Sequence, residues 1–95
     1  MSKSLPPLTW FRAFEAASRH LNFTMAANEI GLTQSAVSQH VRSLETRLGV
    51  FLFVRKPRGL ALTDEGRKLQ PQVGAALELL GEATRDFQQH ENENF

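Results

Sequence analysis

The segment from Phe23 to Leu48, FTMAANEIGLTQSAVSQHVRSLETRL, constrains the fold of this chain more than any other part of the sequence. Its apolar residues recur at helical spacing on both sides of Gly31, which predicts two short amphipathic helices. Gly31 can adopt the positive φ that ends the first helix, and Thr33 can accept from the free N–H groups that begin the second. A turn this short fixes the crossing angle of the two helices, which is the pattern of a helix-turn-helix.

The second of these helices has two chemically different faces. Its apolar residues fall within an arc of about 60°, which predicts a stripe that docks on a core: Val37, Val41, Leu44 and Leu48. A separate arc carries polar side chains, namely Ser35, Ser38, Gln39 and Arg42. Such groups can bond to base edges in the major groove of DNA. The alternative is an ordinary surface helix, and the Ala-Ala, Gly and Thr residues at turn spacing before it favour DNA recognition.

Other short elements surround this motif. Residues 8–20 predict a first helix, and Asn22 can cap the next one. Residues 51–54 and 60–62 are β-prone and flank a Pro/Gly turn, which predicts a hairpin. The turn carries three cations that could meet phosphate groups: Arg55, Lys56 and Arg58. If the hairpin stood alone, a plain charged turn would be the better interpretation. Because the hairpin follows a helix-turn-helix, the pattern predicts a wing.

A long helix is predicted from Thr63, its N-cap, to about Gln89. Its apolar residues alternate spacings of four and three, which predicts a heptad seam for helix-to-helix dimerisation: Leu69, Val73, Ala76, Leu80, Ala83 and Phe87. Pro71 and two glycines weaken the isolated helix, so pairing must stabilise it. The alternative is that the stripe packs back on the first helix of the same chain, and Trp10 could contact either surface.

Composition places limits on the function. The 95 residues suit one small domain, and no cysteine is present for a disulfide or a thiolate metal site. No apolar run has membrane-spanning length and residues 1–8 lack the apolar region of a signal peptide, so we expect a cytoplasmic protein without membrane contact. Residues 1–60 carry a net charge of +5 and residues 61–95 one of −4. A basic head on an acidic tail suits a head that meets phosphates.

An enzyme is disfavoured by what the motifs lack. Ser35, Ser38 and His40 are close in sequence, but no G-x-S-x-G segment or orienting carboxylate accompanies them. The sequence has neither a phosphate-binding glycine loop nor a set of residues at metal-ligand spacing. We therefore assign no catalytic residue, no metal ligand and no cofactor.

With these motifs in place, the chain resembles the DNA-binding domain of LysR-type transcriptional regulators, and most of all the subgroup that contains the glycine-cleavage and β-lactamase-inducing regulators. The resemblance covers about residues 5–89. The matching segments are LxxFRAFEAA at 8–17, FTMAA at 23–27, TQSAVSQHVRSLE at 33–45, LG at 48–49, LFVR at 52–55 and LTDEG at 62–66.

The resemblance implies which residues contact DNA. Four positions correspond to base contacts: Gln34, Ser35, Ser38 and Gln39. Further positions correspond to backbone contacts: Thr24, Thr33, Arg42, Arg55 and Arg58, with Lys56 as an addition. Gln39 stands where many relatives have arginine, which favours an A·T pair over guanine at that contact.

The expected fold is mainly α: a winged helix-turn-helix head at 1–62, made of three helices and a short β-hairpin wing, a linker and dimerisation helix at 63–89 and a disordered tail at 90–95. The expected function is sequence-specific DNA binding by a homodimeric bacterial transcriptional regulator that recognises an interrupted palindrome. Recognition helix 34–48 would enter the major groove and wing 55–59 would lie on the phosphate backbone.

The alternative function is a winged-helix adaptor for protein interaction and dimerisation that binds no specific DNA. Members of the family also carry a C-terminal domain that senses a small molecule. A small-molecule effector is therefore expected only if such a domain exists outside these 95 residues.

Overall fold

The computed structural model describes the backbone of residues 4–94 and the side chains of residues 4–88. Its elements, in chain order, are α1 (Leu8–His20), α2 (Phe23–Ile30), α3 (Gln34–Leu48), β1 (Phe53–Arg55), β2 (Leu60–Leu62) and α4 (Asp64–Asn94). The two strands form an antiparallel hairpin in which Phe53 pairs with Leu62 and Arg55 with Leu60. This order confirms the predicted architecture of three helices, a hairpin wing and a long final helix.

The turn between α2 and α3 forms as the sequence predicts. Asn22 begins α2 by accepting a hydrogen bond from the backbone N–H of Met25 at 2.9 Å. Gly31 ends that helix with φ of 71°, a left-handed conformation that favours glycine. Thr33 then begins α3, because its Oγ1 accepts from the N–H of Ala36 at 3.1 Å. The two helices are thus fixed at their junction by side-chain caps and one glycine.

The core lies where α1 meets α2, α3 and β1. Phe14 of α1 is fully buried, and its ring lies 5.7 Å from the ring of Phe53 in β1. Phe53 in turn lies 6.0 Å from Phe23 at the start of α2. Buried alanines on α1 and α2, such as Ala17 and Ala27, let the helices approach closely around these rings. This aromatic chain joins the helix-turn-helix to the base of the hairpin.

The apolar stripe of α3 is shorter than predicted. Val37, Val41 and Leu44 are buried, but Leu48 is 43% exposed. Leu48 is the last residue of the helix, and the chain turns away from it at Gly49. Leu52, which is 1% exposed, occupies this end of the core instead. The prediction that Leu48 docks on the core was therefore wrong.

The hairpin is attached to the helices at both ends. Glu45 of α3 accepts hydrogen bonds from the backbone N–H groups of Leu52 at 2.8 Å and Phe53 at 3.3 Å. On the other side, the N–H of Leu60 donates to the carbonyl oxygen of Leu21 at 3.0 Å. These bonds hold β1 and β2 in a fixed position beside the α2–α3 pair.

The predicted seam of α4 divides between the head and solvent. Val73 is 6% exposed and belongs to the core, and Leu69 and Leu77 pack against it. Val73 is therefore covered by its own chain and not available to a seam between two chains, whereas Leu69 is only half-buried and its place in such a seam stays a prediction. The alternative prediction, packing on the chain's own first helix, is correct for this half, because α1 and α4 are in contact.

The distal half of α4, from Ala76 onward, adds no residue to the buried core, although its first turns still line an open groove with α1 and α2. Ala76, Leu80, Ala83 and Phe87 are exposed, with Leu80 at 51% and Phe87 at 78%. The helix continues to Asn94, so the prediction of a disordered tail was wrong for residues 90–94, and residue 95 lies outside the described residues. Neither glycine nor proline follows Gly81, which leaves nothing in the sequence to stop the helix earlier. Within residues 4–94, none of the helices is long and apolar enough to cross a membrane.

An ion-pair cluster links α1 to α2 on the surface. Arg19 bonds to Glu15 at 2.6 Å and to Glu29 at 2.5 Å, and His20 lies 2.6 Å from Glu29. The hydrogen bonds that Arg19 donates to Glu15 and, second in effect, to Glu29 raise the pKa of the guanidinium. The hydrogen bond from Arg19, followed by that of His20, lowers the pKa of Glu29. The cluster holds the first two helices together from outside the core.

Candidate nucleic-acid interface

The polar residues predicted to read bases lie on the outer face of α3. Gln34, Ser35 and Gln39 are exposed and Ser38 is half-buried. Val37, on the other face, is fully buried. The face of Val37 packs on α1 and α2. The hydroxyl and amide groups of the opposite face are therefore directed away from the core. The arrangement is the one that the two-faced pattern of α3 predicts.

Two guanidinium groups organise the middle of this face. Arg42 donates from Nη1 to Oγ of Ser38 at 3.0 Å and from Nη2 to Oε1 of Gln39 at 3.3 Å. Arg55, which comes from the hairpin, donates to the same Ser38 Oγ at 3.4 Å. Ser38 and Gln39 are thus already bonded to cations, and both use their oxygen atoms as acceptors.

Arg55 lies against the helices and away from the turn of the hairpin. Its guanidinium carbon is 5.1 Å from the centroid of the Phe23 ring, which is cation–π geometry. Arg55 is the last residue of β1, where the strand directs its side chain toward α2 and α3. Arg55 therefore lies on strand β1 and not in the turn of the hairpin, where the sequence pattern placed it. Phe23 is a residue that sequence reasoning missed in this role, because no spacing in the chain connects it to Arg55.

A cleft of about 230 Å³ collects several of the predicted phosphate contacts. Thr24 and Asn22 line it from the start of α2, Gln34 from the start of α3, and Arg55 and Lys56 from the hairpin. The N-terminus of α2 contributes partial positive charge from its free N–H groups. The first residues of α2, the first residue of α3 and two cations therefore line one concave surface beside the polar face of α3.

Other predicted residues lie outside this cleft. Arg58 is exposed in the turn of the hairpin, and Thr33 is occupied as the N-cap of α3. Trp10 lies on the side of α1 that faces α3, where it lines a surface with Gln39 and Arg47. The face of α1 beside α4 carries other residues, such as Leu8 and Arg12, so Trp10 does not lie next to α4 of its own chain. Its place in a contact between two chains stays a prediction.

Three helices with a hairpin packed beside the second and third form a winged helix-turn-helix. Residues 8–67 match the family described as "Bacterial regulatory helix-turn-helix protein, lysR family". The match covers more than half of the chain, and the chain belongs to this family. The resemblance that the sequence motifs indicate is confirmed.

Curated relatives include the carbapenem-hydrolyzing β-lactamase transcriptional activator of Serratia marcescens, which is 53% identical over 85 residues. That match covers 90% of this chain and 29% of the relative. The glycine cleavage system transcriptional activator of Escherichia coli K12 is 50% identical over 88 residues, covering 93% of this chain and 29% of the relative. The chain therefore spans less than a third of the length of these relatives, which represent both kinds of regulator in the subgroup named above.

Solved structures share the fold. The DNA-binding domain of CbnR in complex with DNA has a TM-score of 0.76 at 26% identity, covering 88% of this chain and 97% of that one. An H₂O₂-bound mutant of Corynebacterium glutamicum OxyR has a TM-score of 0.81 at 30% identity, covering 87% of this chain and 26% of that one. The BenM domain in complex with benA site 1 DNA has a TM-score of 0.77 at 25% identity, covering 87% and 93%.

Proposed function

We propose that this chain is the sequence-specific DNA-binding domain of a homodimeric transcriptional regulator that works in the cytoplasm. In this proposal α3 enters the major groove, and the cleft beside it holds the phosphate backbone. The domain acts by binding and not by catalysis. CbnR and BenM, two of its structural relatives, have been solved in complex with DNA.

The observation that carries the proposal is the cleft between α2, α3 and the hairpin. Thr24, Gln34 and Arg55 are far apart in sequence, yet they line one concave surface with Lys56. Hydroxyl groups, amide groups, cations and helix N-termini are the groups that proteins use to bind phosphate. A phosphate bound there would lie against the start of α3, and Ser35 and Gln39 on the exposed face of that helix would be next to the base edges.

Homodimerisation through α4 is the second part of the proposal. Leu79, Leu80 and Phe87 expose large apolar surfaces on the half of the helix that contributes nothing to the buried core. We assign the contact between two chains to the distal part of the predicted seam: Ala76, Leu80, Ala83 and Phe87. Two heads related by a two-fold axis would bind two inverted half-sites, which gives an interrupted palindrome.

Selection of bound duplexes from a random pool tests the proposed function. The wild-type chain is expected to enrich an inverted repeat whose half-sites lie about one helical turn, or a multiple of it, apart. An absence of binding at low salt, where phosphate contacts are strongest, would contradict the proposal and favour a protein-interaction adaptor.

Gln39→Ala tests base recognition by α3. We expect it to weaken binding to the selected site by about 1–3 kcal/mol and to relax the preference at one base pair, because it removes one side chain that contacts a base edge. Titration of duplexes substituted at each position would measure this. Gln72→Ala, on the exposed surface of α4, is the matched control and should change neither quantity. A uniform loss over all duplexes would show that Gln39 does not read bases.

Arg55→Ala tests the phosphate cleft. Its guanidinium is held over Phe23 and lines the cleft, so its loss should weaken specific and non-specific DNA nearly equally. The slope of log K against log salt should become shallower by about one unit. Lys68→Ala removes an exposed cation of α4 outside the cleft and should leave the slope unchanged. An unaltered slope for Arg55→Ala would remove this residue from the phosphate contacts.

A further inference from the structure

Arg42 connects the two central residues of the polar face of α3. One nitrogen of its guanidinium donates to Ser38 Oγ at 3.0 Å and another to Gln39 Oε1 at 3.3 Å. All three side chains belong to consecutive turns of one helix, so the backbone fixes their spacing. The positions of the hydroxyl and the amide therefore depend on one cation.

This contact changes what Gln39 can offer to a base. A glutamine that reads adenine accepts from the N6 amino group through its oxygen and donates to N7 through its nitrogen. Here the Gln39 oxygen already accepts from a guanidinium, and an adenine amino group would have to approach beside that positive charge. The Gln39 NH₂ group keeps its donors. The contact thus favours a base edge that presents acceptors.

Ser38, like Gln39, can offer a base a hydrogen-bond donor more readily than an acceptor. A hydroxyl has one donor and two acceptor lone pairs. The Ser38 oxygen accepts from Arg42 and also from Arg55 at 3.4 Å, which leaves the O–H hydrogen as its free function. Two adjacent residues of α3 therefore present donors. In the major groove guanine has two neighbouring acceptors, N7 and O6, whereas adenine pairs one acceptor with a donor.

We propose that Arg42 is a positioning residue for base specificity, which holds Gln39 as a hydrogen-bond donor and so selects guanine over adenine at the base pair that Gln39 contacts. The inference rests on the proposed DNA-binding function and goes beyond it. It also replaces the A·T preference that the sequence alone favours for Gln39.

The test compares duplexes that carry each of the four bases at the pair where Gln39→Ala relaxes the preference. The wild-type chain should bind guanine about tenfold more tightly than adenine, within the range of one good side-chain contact to a base. Arg42→Met should reduce this ratio to about twofold or less, because the freed Gln39 oxygen can then accept from adenine. A residue that only binds phosphate would lower affinity for all four duplexes and leave the ratio unchanged.

Arg47→Met is the matched control on the same helix. Its guanidinium donates to the carbonyl oxygen of Ser4 at 2.7 Å, so the base ratio should remain that of the wild type. Gln39→Glu provides a second test, because a carboxylate cannot donate and the guanine preference should disappear even with Arg42 present. Circular dichroism checks that each variant is folded.

The outcomes separate this inference from the proposed function. If the wild-type chain prefers no sequence at all, the proposed function fails and the inference fails with it. If the chain selects sites but prefers any base other than guanine at this pair, only the inference is overturned. It is also overturned if Arg42→Met keeps the tenfold ratio.

Discussion

Leu80→Glu is expected to convert the protein from a dimer to a monomer and to weaken binding to an inverted repeat at least about 100-fold, because the second half-site is no longer tethered. Leu80 is 51% exposed and lines an open groove between α4 and the first two helices. A carboxylate there would have to be buried without a partner when two helices pair. Sedimentation velocity measures the first effect, and titration of a duplex with two half-sites measures the second.

The head should remain folded in this variant, since Leu80 is not part of the buried core. Affinity for a single half-site should therefore stay close to that of the wild type. Ala75→Glu adds the same charge at an exposed position on another side of α4 and should leave the dimer intact. A dimer that persists in Leu80→Glu would contradict the assignment of the chain-to-chain contact to the distal half of α4.

Gly66→Ala is expected to destabilise the head by about 3 kcal/mol, at the upper end of the range for an overpacked core. Gly66 lies in the first turn of α4, where its N–H donates to the Thr63 cap at 3.0 Å. A Cβ atom at this position would lie 2.8 Å from a methyl group of Leu62 and closer still to the carbonyl oxygen of Leu52. The oxygen belongs to the backbone, so the start of α4 would have to move. Urea denaturation gives the change in unfolding free energy.

Gly74→Ala is the matched control in the same helix. A Cβ atom there meets nothing within 4 Å, so the substitution adds helix propensity without a clash. It should stabilise the chain by up to about 1 kcal/mol. Equal effects of the two substitutions would show that the close approach of Gly66 to Leu52 does not form in solution.

Local sequence signals predicted the helix-turn-helix with most of its detail. Asn22, Gly31 and Thr33 act within three or four residues of the groups they cap, so their roles can be inferred from spacing alone. The outward direction of Gln39 follows in the same way from helical periodicity. The winged fold then followed from the order of elements and from the resemblance to a known family.

The remaining features depend on contacts between distant segments. Phe23 supports Arg55, and Glu45 anchors the start of β1, through packing that no local spacing reveals. A heptad pattern likewise does not say which surface covers it. Val73 is buried against the head of its own chain, whereas Phe87 is exposed. The point along α4 where its apolar residues stop being buried depends on how far the head extends beside the helix.

A double-mutant cycle between protein and DNA determines whether the exposed face of α3 reads bases. Gln39→Ala would be combined with each base-pair substitution in the selected half-site, and the four affinities of every cycle would give a coupling free energy. We predict a coupling of at least about 1 kcal/mol at one base pair and values near zero at positions remote from it. Coupling near zero at every position would show that this face of α3 does not read bases.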